Sequence, residues 1–276
     1  ILTAKQMNKV FLLALALLLM IFSCGNGGNG DPSGVLVERS GANRHILVFL
    51  DKTLSLKQDN TSLEGYKESL KRFVYRNYYQ NGDRVHGYFI HSDALGTTPF
   101  LEETFQVAKP DLEKGGYQTQ ENNKMKYEME LAEAKGQAIQ SISKGFQLEN
   151  TSETNRETDL WATFELMTRF FADAGPQDTC YAFFISDMVQ SVKGEGQHDF
   201  HRYQIKSKGE AETLAVEAAK WIRENRKVDP QVLSRVQARM WIPPNPTGKN
   251  DFGMLRYYWN KLFAELGVRE VREELI

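Results

Sequence analysis

Apolar side chains recur along this chain in two alternating patterns. Ile46 to Leu50, Val85 to Ile90, Tyr181 to Ile185 and Val236 to Ile242 are short apolar-rich runs, each the length of a buried strand. Between them, apolar residues stand three and four apart, as on one face of a helix. Leu63, Tyr66, Leu70, Phe73, Val74 and Tyr78 form one such set. Others run through Leu160, Trp161, Phe164, Met167, Phe170 and Phe171, through Leu214, Ala218, Trp221 and Ile222, and from Phe252 to Leu266. Lys124 to Phe146 carries a longer helical pattern through Met129, Ala132, Ile139, Ile142 and Phe146, after a polar loop at 111–123. Phe100 to Val107 reads as a short edge strand, and Val268 to Val271 as a last strand. Thr61 with Glu64, and Ser207 with Glu210, have capping-box spacing. Gly267 stands where a helix-ending glycine belongs. Strand and helix in alternation predict an α/β fold: a doubly wound, mostly parallel sheet flanked by helices, in a single domain.

One apolar stretch stands outside this alternation. Val10 to Phe22 is an unbroken apolar run behind Lys9, with Met7 as the expected start. At 1.5 Å per residue it is too short for a ~30 Å hydrocarbon core, which makes it a signal segment rather than a span. It ends Ile21-Phe22-Ser23-Cys24, which resembles the bacterial lipoprotein signal. That resemblance implies cleavage after Ser23 and lipidation of Cys24; an ordinary secretory signal with an incidental cysteine is the alternative. Residues 24–43 begin with the lipidated Cys and continue through a Gly- and Asn-rich stretch suited to a flexible tether. The expected organisation is therefore a signal peptide at 1–23, an anchor and linker at 24–43, and a folded domain at 44–276 with a helical insertion around 111–150. The implied location is the bacterial cell envelope, lipid-anchored. Gly25 is not the Asp that retains lipoproteins at an inner membrane, which favours the outer one.

Composition narrows the possibilities. Over 276 residues, 34 Lys and Arg stand against 36 Asp and Glu, a formal charge of −2. Loss of residues 1–23 would remove Lys5 and Lys9 and make the remainder more acidic still. No basic excess exists to displace counterions from phosphates, so nucleic acid is not an expected partner. Two cysteines exclude a disulfide framework and a four-Cys zinc site. Cys180, inside an apolar run, reads as a buried free thiol.

In doubly wound folds, ligands bind beyond the carboxyl ends of the strands. After the first strand comes Asp51-Lys52-Thr53-Leu54-Ser55, an acid followed by hydroxyls two and four residues on. Ser186-Asp187 follows a later strand, and Thr158-Asp159 precedes a helix. Carboxylate and hydroxyl oxygens are hard donors suited to Mg²⁺, Mn²⁺ or Ca²⁺. The same residue types also favour caps and turns, so a purely structural reading of each loop stays open. His198 and His201, three apart, fit a solvated loop better than a metal site.

With these residues the chain resembles the von Willebrand factor A (integrin I-like) family. That family has an Asp-x-Ser-x-Ser loop after its first strand, a Thr in a second loop and an Asp after its fourth strand. The resemblance implies a metal-ion-dependent adhesion site made of Asp51, Thr53, Ser55, Thr158 and Asp187. Thr53 replaces a Ser, the Thr loop lacks its usual glycines, and Met188 stands where the family has Gly. The implied role is binding rather than catalysis: the cation keeps a position open for an acidic side chain of a protein partner. Site geometry would be coupled to the last helix. Two other readings remain. Phe49-Leu50-Asp51-Lys52-Thr53 also looks like the haloacid dehalogenase superfamily, with Asp51 as phosphorylated nucleophile. That family's Gly-Thr continuation or second Asp, and its later acidic pair, are missing. The last reading is a metal-free scaffold of the same fold.

Overall fold

A computed structural model describes residues 42–51, 60–78, 81–96, 98–107, 116–148, 157–192, 198–241 and 252–273, with side chains in the second stretch from Glu64 on. The strands are β1 (Arg44–Asp51), β2 (Arg84–Ile90), β3 (Leu101–Thr104), β4 (Thr179–Ile185), β5 (Val236–Trp241) and β6 (Glu270–Glu273). The helices are α1 (Asn60–Asn77), α2 (Tyr117–Gln147), α3 (Ala162–Phe171), α4 (Lys208–Asn225), α5 (Pro230–Leu233) and α6 (Phe252–Glu265). The strands form one sheet in the order β3-β2-β1-β4-β5-β6, a doubly wound arrangement. Only the short edge strand β3 is antiparallel.

The central strands are buried on both sides because their side chains alternate between two apolar layers. Ile46, Val48 and Leu50 of β1 join Phe183 and Ile185 of β4 in the layer beneath α1 and α2. Leu47 and Phe49 join Ala182 and Phe184 in the layer beneath α3, α4 and α6. The expected helical faces turn inward: Tyr66, Leu70, Val74 and Tyr78 near α1, and Leu255, Tyr258, Trp259, Leu262 and Phe263 on α6, are all buried. Phe100 is wedged between Gly87 of β2 and Gly145 of α2, where any larger side chain would collide with its ring.

Several ends are set by local chemistry. Ser207 caps α4 by accepting from the Glu210 amide at 3.2 Å. The Glu210 carboxylate reaches instead to the Lys206 amide and the Tyr203 hydroxyl, so only half of the expected box forms. The other box, at Thr61 and Glu64, lies outside the described side chains. After α6, Gly267 takes φ +87°. Its amide bonds Ala264 O and that of Val268 bonds Phe263 O, a complete Schellman ending.

The last strand begins two residues later than expected, at Glu270, and two helices also depart from expectation. Helix α2 begins at Tyr117, inside the stretch read as loop, because Gln, Glu and Lys propagate a helix without apolar residues. Met129 and Ala132 on it point to solvent. The one-turn α5 is too short to show a period; Asp229 caps it, with Pro230 in its first turn. Cys180 is buried and unpaired, as expected. Among the described residues no helix is long and apolar enough to cross a membrane.

Candidate functional site

Strand order reverses between β1 and β4, which places the crevice of a doubly wound sheet at their carboxyl ends. Parallel pairing of Leu50 with Ile185 sets the next residues, Asp51 and Ser186, opposite each other. Side-chain alternation sends both toward the layer of α3, α4 and α6, since they follow Leu47, Phe49 and Ala182, Phe184. There the Ser186 hydroxyl donates to Asp51 Oδ2 at 2.8 Å and accepts from the Met188 amide at 2.9 Å. Asp51, Ser186 and Asp187 are each 1% exposed or less.

The chain turns sharply after β4. Asp187 Oδ1 accepts from the Val189 amide at 3.1 Å, closing an Asx-type turn. Met188 takes φ +58°, a left-handed conformation that costs a side-chain-bearing residue about 1–2 kcal/mol and glycine nothing. This is the position where the resemblance expects glycine, and the backbone has a glycine-like shape. Burial of the Met188 side chain and a 2.7 Å bond from Trp259 Nε1 of α6 to the Met188 carbonyl hold that turn in place.

Thr158 and Asp159 reach the same edge through the loop that follows Met188. The Thr158 amide donates to Ser191 Oγ at 2.7 Å, and the Ser191 amide returns a bond to the Thr158 carbonyl. The Leu160 amide donates to Gln190 Oε1 at 2.6 Å. Asp159 binds the amide of Ala162 at the start of α3, takes a bond from Gln190, and pairs with Arg226 at 2.8 Å. Burial pushes its carboxyl above the usual range, while Arg226, Gln190 and backbone amides pull it back. The cap-like role is thus carried by Asp159, and Thr158 is buried beside it.

Of the five expected metal ligands, Asp51 is bonded to Ser186, the residue before Asp187, and Thr158 is bonded to Ser191, four residues after it. Thr53 and Ser55 lie outside the described residues, as does Cys24. Gln190, Ser191 and Arg226 were not anticipated. The first two are polar residues close behind Asp187, a signal available in the sequence; Arg226 is 67 positions from Asp159 and gave none. His91, the first residue past β2, is also buried, and its Nδ1 accepts from the Asp93 amide at 3.1 Å. Burial keeps its imidazole pKa low, against the pull of Asp93.

Among the described residues no group of three or more His, Cys, Asp and Glu side chains is placed to hold a metal. With Asp159 taken up by Arg226, two carboxylates, Asp51 and Asp187, are left beside hydroxyl oxygens, donor types that suit a hard divalent cation.

No protein-family profile matches the chain, and no curated protein matches it in sequence. Solved structures of similar fold include the conserved hypothetical protein BatB from Bacteroides thetaiotaomicron. It is 13% identical, covers 85% of this chain and 90% of that one, and has a TM-score of 0.39. An aerotolerance-related membrane protein from Bacteroides fragilis is 14% identical over 85% and 92%, with a TM-score of 0.38. A von Willebrand factor type A protein from Catenulispora acidiphila is 12% identical over 86% and 39%, with a TM-score of 0.42. At these scores none of them bears on what this chain does.

Proposed function

We propose that this chain is a von Willebrand factor A-like binding module that holds a divalent cation, Mg²⁺ in the first instance, at the carboxyl edge of its sheet. The cation there would take an acidic side chain of a protein partner. Asp51, Asp187 and Thr158, with Thr53 and Ser55, are the residues that would hold it. The carrying observation is the buried bond from Ser186 to Asp51 at the point where strand order reverses. It orients one carboxylate oxygen and places Asp187 next in the chain.

In the phosphatase alternative Asp51 would be the nucleophile, and the turnover test below separates the two readings. In the binding-module reading Cys24 carries the lipid that tethers the module in the envelope. Incorporation of labelled palmitate that disappears in Cys24→Ser tests that part separately.

The metal test uses the full chain in mild detergent. Saturating Mg²⁺, Mn²⁺ or Ca²⁺ at about a hundred times Kd stabilises a one-site protein by ~2.7 kcal/mol. That amounts to a rise in melting temperature of roughly 5–10 °C for a domain of this size. EDTA should reverse it and Asp51→Ala abolish it. No response to any of the three cations would refute the adhesion-site reading and leave the metal-free scaffold. Turnover of p-nitrophenyl phosphate lost in Asp51→Asn would establish the phosphatase instead.

A further inference from the structure

Helix α2 has two faces. Tyr127, Leu131, Ala134, Ala138 and Ile142 face the body and pack in its apolar layer. On the opposite side Met125, Met129, Ala132, Gly136 and Ile139 follow one another at intervals of four, three, four and three residues. That is the spacing of a coiled-coil seam, kept over two heptads. Met125 is 57% and Met129 72% exposed, Ala132 and Gly136 are exposed, Ile139 at the end of the row is half-buried, and a side chain built at Gly136 would meet nothing within 4 Å.

We infer that this seam is a homodimer interface in which α2 pairs antiparallel with α2 of a second copy. Self-pairing about a two-fold axis requires a surface complementary to itself, and this seam meets that requirement in size and in charge. Centred between Met129 and Ala132, the antiparallel register sets Met129 against Ala132 of the partner copy and Met125 against its Gly136. Each large, pliable side chain thus enters a gap left by a small one. At the flanks Lys126 meets the partner's Glu133, and Glu128 meets the partner's Lys135. Every such contact occurs twice by symmetry, and each pairs opposite charges.

The parallel register fails on the same residues. It stacks Met on Met and Gly on Gly, and sets Glu128 against Glu133. The existing contact of Lys126 does not compete strongly. Lys126 pairs with Glu130 at 3.7 Å between exposed side chains, an interaction of little value in water. Lys135 is half-buried over the ring of Tyr75 and faces Asp83 of the body, so the two Lys126–Glu133 pairs carry the charge argument. The faces that pack on the body lie on the far side of each helix, so the two bodies stand on opposite sides of the pair.

Sedimentation equilibrium of the full chain in mild detergent, over a concentration series reaching about 100 µM, tests the inference. The wild type should reach twice its monomer mass. Glu133→Lys turns both flanking attractions to Lys126 into repulsions between like charges and should weaken the dimer by about tenfold. Adding Lys126→Glu restores opposite charges and should recover most of the loss. Met129→Glu should leave a monomer that melts like the wild type, because the side chain is exposed. A wild type that stays monomeric throughout overturns the inference. So does association that all three variants leave unchanged, which would come from the apolar run at 10–22.

Discussion

Removing the hydroxyl of Ser186 is the sharpest probe of the sheet edge. Ser186→Ala deletes a donor to the Asp51 carboxylate at 2.8 Å and an acceptor for the Met188 amide at 2.9 Å. Both partners are buried, so water does not simply replace the lost atom. A hydrogen bond to a charged group contributes about 1.5–3 kcal/mol, and a buried amide left unsatisfied costs about 1–3 kcal/mol. Because the two losses share one atom and the turn can relax, the expected destabilisation is about 3–4 kcal/mol. For a domain of this size that lowers the melting temperature by roughly 6–15 °C. Thermal and urea unfolding followed by circular dichroism measure it. A double-mutant cycle with Asp51→Ala isolates the pair and should show a coupling of about 1.5–3 kcal/mol. Ser186 positions Asp51, so the single variant should keep a weakened Mg²⁺ response where Asp51→Ala has none. A loss under about 1 kcal/mol, or additivity within about 0.5 kcal/mol, would refute the claim that this bond organises the edge.

Three other outcomes follow from the rest of the molecule. At the opposite edge, His45 donates from Nε2 to Asp178 at 2.9 Å and accepts from Arg84 at Nδ1, which keeps the ring neutral. Burial sets its pKa below the ordinary value, with Arg84 acting the same way and Asp178 and Asp83 opposing. The unfolded chain therefore binds the proton first, and stability should fall as pH drops below about 6.5. His45→Gln, which keeps one donor and one acceptor, should flatten that slope in pH-dependent urea titrations. The Cys180 thiol, raised to about 11 mainly by burial, should resist maleimide at pH 7 in the folded chain and react fully in guanidinium. Gly267→Ala forces a methyl onto φ +87° and should cost about 1–2 kcal/mol in urea unfolding.

The sheet was legible because its two middle strands, β1 and β4, are apolar on both faces, a pattern that solvent-exposed structure cannot carry. Ile46 to Leu50 and Tyr181 to Ile185 read as strands for the reason they are central: helices cover them on both sides. Helix α2 was only half legible. Its first two turns, 117–123, have no fully buried residue and no apolar spacing, so nothing separated them from a loop, and Met129 fitted an inward pattern while lying on the outer face. Hydrophobic period marks a helix; it does not say which of two apolar stripes meets the core.

The candidate site divides along a similar line. Asp51 and Asp187 stood out as candidates because a strand end is a fixed address in a doubly wound sheet, and an acid there is conspicuous. What holds them was hidden, since it depends on register and on long-range pairing. Ser186 matters because Leu50 pairs with Ile185 and not with a neighbour one residue away; a one-residue slip would turn its hydroxyl to the other layer. Arg226 reaches Asp159 only once α4 has crossed from β4 to the next strand, and no local signal announces it. Met188 joins the two kinds of information. In sequence it is the residue that departs from the Asp-Gly expected of the resemblance, and in the structure it adopts the backbone shape a glycine would supply. The strain is held by its own burial and by Trp259 of α6, so the turn that positions Asp187 depends on the packing of the last long helix. A change that shifts α6 must therefore also act on Asp187.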